Sequence, residues 1–178
     1  MRLFVAIPME GEIKTALRGI QNELRRRGVE GNYTRPENLH LTLAFIGEVP
    51  DSDAAAEAIA ALRFRPFTLR LGGLGAFGEL WWIGLEDGGE LDALARRLRR
   101  ALAESGVPFD RKTFRSHITL IRQPKYRNDP RLGTLAVPEA ETRVDKISLM
   151  LSTRGKNGVI YTELSSVPAR DEEGEEVD

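Results

Sequence analysis

A chain of 178 residues, 41% hydrophobic and 30% charged, is long enough to bury one core, or two small lobes sharing one, and too short for several domains. Its net charge of -1 argues against a uniformly basic nucleic-acid coat. No apolar run is long enough to span a membrane, and the apolar stretch after Arg2 is too short for a signal peptide, so a soluble, cytoplasmic protein without membrane attachment is expected. The absence of cysteine excludes disulfides, thiolate nucleophiles, iron–sulfur clusters and cysteine-bearing zinc sites.

Residues 2–7 read as an apolar strand, after which Ile13, Leu17, Ile20 and Leu24 recur at helical spacing until Arg25-Arg26-Arg27 and Gly28 supply stop signals. Residues 32–46 are strand-like around a turn at Pro36-Glu37-Asn38, most simply a hairpin, and Gly47 and Pro50 end the run. Asp51 or Asp53 can cap an Ala-rich helix reaching about Leu62, and residues 66–71 return to strand alternation. Gly72-Gly73-Leu74-Gly75 reads as a turn, since neither a P-loop nor a dinucleotide fingerprint is completed there. Residues 80–85 form another strand, and Leu91, Leu94, Leu98 and Leu102 mark a third helix closed by Gly106. Beyond it come a strand over 116–122, a loop with Pro124, Pro130 and Pro138, and strands over 144–151 and 159–164 joined through Gly155-Lys156-Asn157-Gly158. Three helices and about eight strands, several joined by connections too short for parallel crossovers, predict an α+β protein with largely antiparallel sheets.

One domain is expected over residues 1–170. The last eight residues, from Asp171 to Asp178, hold six of the 27 acidic groups and read as a solvated, disordered tail. Without them, 26 basic residues face 21 acidic ones, so the body is mildly basic and suits an anionic ligand. Of the basic residues 21 are arginine, whose guanidinium fork fits phosphate; genome composition or a thermophilic host would produce the same bias.

The chain has only two histidines, and both stand in one pattern, His40-Leu41-Thr42-Leu43 and His117-Ile118-Thr119-Leu120. Ten threonines and 22 leucines put chance placement of both residues after the second histidine at about 0.7%, too low for coincidence to be the better account. In a strand, His40 and Thr42 share one face while Leu41 and Leu43 anchor the other, and the same holds for His117 and Thr119. Each motif thus presents an imidazole beside a hydroxyl on a rigid element packed from behind. Two such strands flanking a groove bring four polar groups together. One imidazole can donate a proton while the other accepts one near neutral pH, which is what metal-free phosphodiester hydrolysis requires. The hydroxyls of Thr42 and Thr119 can bond the nonbridging oxygens and stabilise the charge that grows in the transition state.

These motifs resemble the paired H-x-T-x signatures of the 2H phosphoesterase superfamily, and more closely those of the RNA 2′,3′-cyclic phosphodiesterases, also called 2′-5′ RNA ligases. The likeness covers most of residues 1–165. It extends to the opening Met1-Arg2-Leu3-Phe4-Val5-Ala6-Ile7, to the specific stretch from Pro36-Glu37-Asn38-Leu39 through His40 to Glu48, and to Leu74-Gly75-Ala76-Phe77. The chain departs from the family pattern at Ser116, usually Pro, at Ile121, usually Ala, and at Tyr33, often Trp. The resemblance implies a bilobal, pseudo-twofold fold of two largely antiparallel sheets with helices on the outer faces. One motif from each lobe would face a central cleft, and the lobes need not be contiguous in sequence. It implies His40 as the general acid that protonates the leaving ribose oxygen and His117 as the general base that activates water. A 2′,3′-cyclic phosphate would then open to a 2′-phosphomonoester, and reversal would join a cyclic phosphate to a 5′-hydroxyl. Nothing in the residues themselves distinguishes which histidine plays which part. The implied partner is RNA with a 2′,3′-cyclic phosphate end, tRNA fragments among them, bound by a monomer without cofactor or metal.

Arg122 follows Thr119 with the opposite strand parity and reaches the cleft only if the strand twists or ends there, although the family's arginine at this place suggests phosphate contact. Phe45 falls on the face of Leu41 and Leu43 and reads as core. At least one of Trp81 and Trp82 reads as core too, and the runs Arg25–Arg27 and Arg96–Arg100 read as solvated helix faces rather than an RNA track. Two other readings stay open: a noncatalytic module that grips RNA ends, and a phosphodiesterase acting on a small cyclic nucleotide or on ADP-ribose cyclic phosphate.

Overall fold

A computed structural model gives the fold and describes residues 1–170; the acidic segment 171–178 lies outside the described residues. The described chain runs β1 (Arg2–Pro8), α1 (Gly11–Arg26), β2 (Glu30–Tyr33), β3 (His40–Glu48), α2 (Asp53–Ala60), β4 (Phe67–Phe77), β5 (Leu80–Glu86), α3 (Glu90–Glu104), β6 (His117–Lys125), β7 (Glu141–Val144), β8 (Lys146–Gly155) and β9 (Gly158–Pro168). The helices are where the apolar spacing puts them. α1 buries Ile13, Leu17, Ile20 and Leu24, and α3 buries Leu91, Leu94, Leu98 and Leu102.

The strands lie in the order β7-β4-β5-β6-β3-β1-β8-β9, every pair antiparallel, with β2 paired to β6. The expected α+β architecture of two antiparallel sheets is present. The two sheets, β9-β8-β1-β3 and β6-β5-β4-β7, touch edge to edge through one residue pair, Leu41 with Ile118, and so form a single curled array. α1 packs on β6 and β7, whereas α2 and α3 pack toward β3, β8 and β9. Each lobe is therefore discontinuous in sequence: α1 leaves β1 of the first lobe to cover the second, and α3 leaves β5 of the second to cover the first.

Three local expectations are corrected. β2 pairs with β6 and not with β3, so residues 32–46 form no hairpin; a 3₁₀ turn at Pro36–Asn38 carries the chain between the two strands instead. Gly72-Gly73-Leu74-Gly75 is no turn but the bulged middle of β4, where the register with β5 shifts between Leu71 and Leu74. Its Gly75 is required by close approach, because a Cβ there would collide with the Trp82 indole. α2 ends at Ala60, two residues before Leu62.

Two side chains tie these elements to the second motif strand and its neighbouring loop. Gln21, a polar residue on the buried stripe of α1, donates from Nε2 to the carbonyls of Thr34 at 2.8 Å and Leu120 at 2.9 Å. Arg27 is not a solvated cation. Its guanidinium donates to the carbonyls of Pro130 at 3.0 Å and Arg131 at 2.8 Å and to the Thr134 hydroxyl at 3.0 Å, clasping the loop that follows β6. Replacing Gln21 by Leu takes this donor from the Thr34 carbonyl and one of two donors from the Leu120 carbonyl, which keeps the Thr34 N–H at 3.0 Å, and sets an apolar group beside them. We expect Gln21→Leu to lower unfolding stability by about 1–3 kcal/mol in urea titration, and an unchanged midpoint would refute this role for the amide.

Candidate active site

Alternation along β3 and β6 builds the site. Leu41, Leu43, Ile118 and Leu120 are completely buried, so His40, Thr42, His117 and Thr119 stand on the opposite face, where all four line one cleft of about 1040 Å³. In both strands the fourth motif residue is bulged. Val5 pairs with Ala44 and Ala6 with Thr42, leaving Leu43 unmatched; Trp81 pairs with Ile121 and Trp82 with Thr119, leaving Leu120 unmatched. An extra residue resets parity. Ala44 and Ile121 are consequently buried directly after Leu43 and Leu120, and the next side chains, Phe45 and Arg122, turn into the cleft. The strand geometry thus brings Arg122 to the same face as His117 and Thr119. Phe45 is a correction: it lines the cleft and not the core.

The two imidazoles are held alike. His40 Nδ1–H donates to the carbonyl of Asn38 at 2.6 Å, and His117 Nδ1–H donates to the carbonyl of Arg115 at 2.7 Å. A carbonyl only accepts, so each bond fixes the proton on Nδ1 and leaves Nε2 as the working atom. The Nε2 of His40 lies 2.9 Å from the Thr42 hydroxyl, which donates to it while the ring is neutral. Aromatic rings flank both. Phe4 and Tyr161 stand 5.1 Å from His40, centroid to centroid, while Phe77 at 5.7 Å and Trp82 at 6.2 Å stand against His117. Of the tryptophan pair, then, Trp81 is core and Trp82 borders the site. Burial holds the His40 imidazolium below its ordinary range, the Asn38 carbonyl opposes this, and the positive charges of Arg122 and His117 push further down.

Several contributors carry no sequence signal of their role. Phe4 and Tyr161 sit in strands whose apolar character suggests only packing. Asn38 reads as part of a turn, yet its carbonyl orients His40 and its side-chain amide donates to the Val159 carbonyl at 3.0 Å, tethering the β8–β9 hairpin that carries Tyr161. Tyr33 does not face the cleft. It packs against the core with its hydroxyl donating to the Val29 carbonyl at 2.7 Å and the Arg25 guanidinium 4.1 Å from its ring. No cluster of three or more His, Asp or Glu at metal-binding distance occurs among the described residues.

Comparison with known proteins agrees with this fold. A family model described as the 2′-5′ RNA ligase superfamily matches residues 12–156. An RNA 2′,3′-cyclic phosphodiesterase of Archaeoglobus fulgidus is 33% identical over 177 residues, which cover 92% of this chain and 98% of that protein. Among solved structures, TT0787 of Thermus thermophilus superposes with a TM-score of 0.78 at 31% identity, covering 97% of this chain and 100% of that one. E. coli LigT complexed with 3′-AMP gives a TM-score of 0.77 at 27% identity, covering 96% of this chain and 98% of that one.

The downward shift of His40 has a definite sign. An unfolded histidine binds its proton near pH 6.5, and the folded ring binds it only at lower pH, so acidification protonates the unfolded chain first. Stability contributed by the neutral ring is complete above about 6.5 and is lost as pH falls through the lower folded value. In an NMR titration of the imidazole resonances we expect the His40 midpoint below about 6.5, and we expect it to rise when inorganic phosphate is added, because an anion offsets the neighbouring positive charge. A midpoint that phosphate leaves unmoved would exclude anion binding beside this ring.

Proposed function

From the premise that the chain belongs to the 2′-5′ RNA ligase superfamily, we propose that it is a metal-independent RNA 2′,3′-cyclic phosphodiesterase in which two histidines share the proton transfers. The observation that carries this reading is the matched pair of Nδ1–H bonds to Asn38 and Arg115, which leave Nε2 as the proton-exchanging atom of each ring, in His40 beside the Thr42 hydroxyl. The working unit is the single bilobal domain of residues 1–170, which supplies both motifs.

The cyclic phosphate binds with its phosphorus between the two imidazoles. Thr42, Thr119 and Arg122 hold the nonbridging oxygens, the arginine as a charge-assisted donor. His117 Nε2 takes a proton from water as the water oxygen attacks phosphorus. His40 Nε2–H gives its proton to the departing 3′ oxygen, and the product is a 2′-phosphomonoester with a free 3′-hydroxyl. His40 is neutral in the empty cleft, and the arriving anion raises its affinity for the proton it must deliver. Once protonated, Nε2 donates rather than accepts, which frees the Thr42 hydroxyl proton for a phosphate oxygen. A cleft of about 1040 Å³ suits the end of an RNA chain better than a lone nucleotide, since it reaches the top of the range typical of small-ligand pockets.

The test is hydrolysis, with EDTA present, of a short RNA ending in 2′,3′-cyclic phosphate. We expect the intact protein to release a 2′-phosphate, and His40→Ala and His117→Ala each to lower kcat by a factor of about 100 or more. Full activity in either variant would refute the shared proton transfer. Tight binding of RNA ends without turnover would point to a binding module, and turnover confined to small cyclic phosphates to a nucleotide-directed enzyme.

A further inference from the structure

On the helix-covered side of the first sheet lies a basic groove, built where the chain crosses between the lobes. Residues 61–66 carry the chain from α2 of the first lobe to β4 of the second. α3 and the end of β9 are bonded to this crossing. The Arg97 guanidinium donates to the Arg63 carbonyl at 3.2 Å, and the Arg170 N–H donates to the Phe64 carbonyl at 2.9 Å. The groove so formed, about 520 Å³, is lined by Arg63, Arg65, Arg97 and Arg170 and by a single carboxylate, Glu90. None of these residues lines the catalytic cleft. α3 packs on the side of β3 that buries Leu41 and Leu43, opposite the side that presents His40 and Thr42, so groove and cleft stand on opposite faces of the sheet.

The covalent chain itself supplies the complementary charge. Arg170 is the last described residue, and the sequence runs on from it as Asp171-Glu172-Glu173-Gly174-Glu175-Glu176-Val177-Asp178, six carboxylates in eight residues. Arginine pairs with carboxylate through its planar fork, two parallel N–H donors to two oxygens. One exposed pair contributes little. A segment rooted in the groove, however, meets it at an effective concentration on the order of millimolar, so several weak pairs act together without recruiting a separate partner. An RNA backbone has the matching charge too. Yet an RNA end seated between the histidines lies on the other face of the sheet, whereas the acidic segment begins at the groove.

We propose that the groove of Arg63, Arg65, Arg97 and Arg170 is the docking site of the chain's own acidic segment, residues 171–178, bound in cis. Docked there, the carboxylates link the crossing, α3 and the end of β9, pieces that belong to both lobes. They also neutralise a basic surface on which an RNA backbone would otherwise lodge away from the histidines. This docking is independent of the reaction in the cleft.

The chain has no cysteine, so Val177→Cys gives the full chain a single attachment point for a nitroxide, whose broadening of amide NMR signals reports which residues lie near the segment. At low ionic strength the broadening should be strongest at Arg65, Ala93 and Arg97, with Thr42 and Thr119 as sharp as in the reduced, diamagnetic control. At the groove residues it should weaken severalfold in about 1 M salt, where the screening length is only about 3 Å. It should weaken equally when all six acids become amides, by Asp171→Asn, Glu172→Gln, Glu173→Gln, Glu175→Gln, Glu176→Gln and Asp178→Asn together. Salt acts on the unaltered segment, so the outcome does not hinge on how well the sixfold variant folds. Four results would each overturn docking in cis: no preference for the groove at low salt, groove broadening undiminished by both changes, broadening centred on Thr42 and Thr119, or broadening passed to a second copy when spin-labelled protein is mixed with isotope-enriched protein lacking the label.

Discussion

The site depends on one antiparallel contact between two sheet edges. β3 and β6 are paired in the ladder at Leu41 and Ile118, the second residues of the two motifs, and each is completely buried. Together with Leu43 and Leu120 they drive the reverse faces of both strands into the helix-backed core, at roughly 1.5–3 kcal/mol per side chain. Slipping either strand by one residue would move that apolar set into the cleft and bury a histidine and a threonine, so the register of both motifs is strongly specified. The bulge immediately after each threonine ends this regularity. It shifts the register with the neighbouring strand, β1 for β3 and β5 for β6, and it turns a further side chain from each strand into the cleft.

The electrostatics of the cleft follow from what the strands enclose. Two imidazoles share a space with Arg122 and are walled by Phe4, Tyr161, Phe77 and Trp82, which offer ring edges and faces in place of water. Aromatic walls and neighbouring positive charge both penalise a protonated His40, while the Asn38 carbonyl partly compensates. No carboxylate is hydrogen-bonded to either ring among the described residues. The carboxylate in the lining, Glu48, is engaged by the Met1 amino group, and on the proposed reading a phosphodiester anion supplies the negative charge beside the rings. On that reading, protonation of His40 is coupled to occupancy of the site.

Much of this is legible in the sequence because it rests on periodicity. The apolar stripes of α1 and α3, the strands that carry the motifs and the pairing of imidazole with hydroxyl all follow from spacings of about 3.6 and 2 residues. What strict alternation cannot register is an extra residue. Counting by twos assigns Phe45 to the core and Arg122 to the far face, and in both strands a single bulged leucine reverses that assignment. The glycines of β4 read as a turn for a related reason, since a bulge and a turn draw on the same residue type. Gln21 does leave a signal, a lone amide on the stripe of Ile13, Leu17, Ile20 and Leu24, but its partners lie 13 and 99 residues away, at Thr34 and Leu120. The swap of β2 from β3 to β6 is likewise a tertiary choice: the two strands are close enough in sequence for a hairpin, and the 3₁₀ turn between them sends each to its own place.

The interleaving of the lobes bears on how the site works. β1 belongs to the first sheet and its following helix covers the second; β5 belongs to the second sheet and its following helix covers the first. Chain crossings therefore bind the lobes together on both sides of the weak central pair, and Gln21 adds a hydrogen bond from α1 to the bulge of the second motif. Opening the cleft by swinging one lobe from the other would tear helices from the sheets they cover. On the proposed reading, rate enhancement in such a frame comes from preorganised donors and acceptors around a bound phosphate. Matched motifs from two different lobes supply the symmetric part of that arrangement, an imidazole beside a hydroxyl from each. The asymmetric part, Arg122 on one strand and Phe45 on the other, makes the two ends of the cleft chemically unlike.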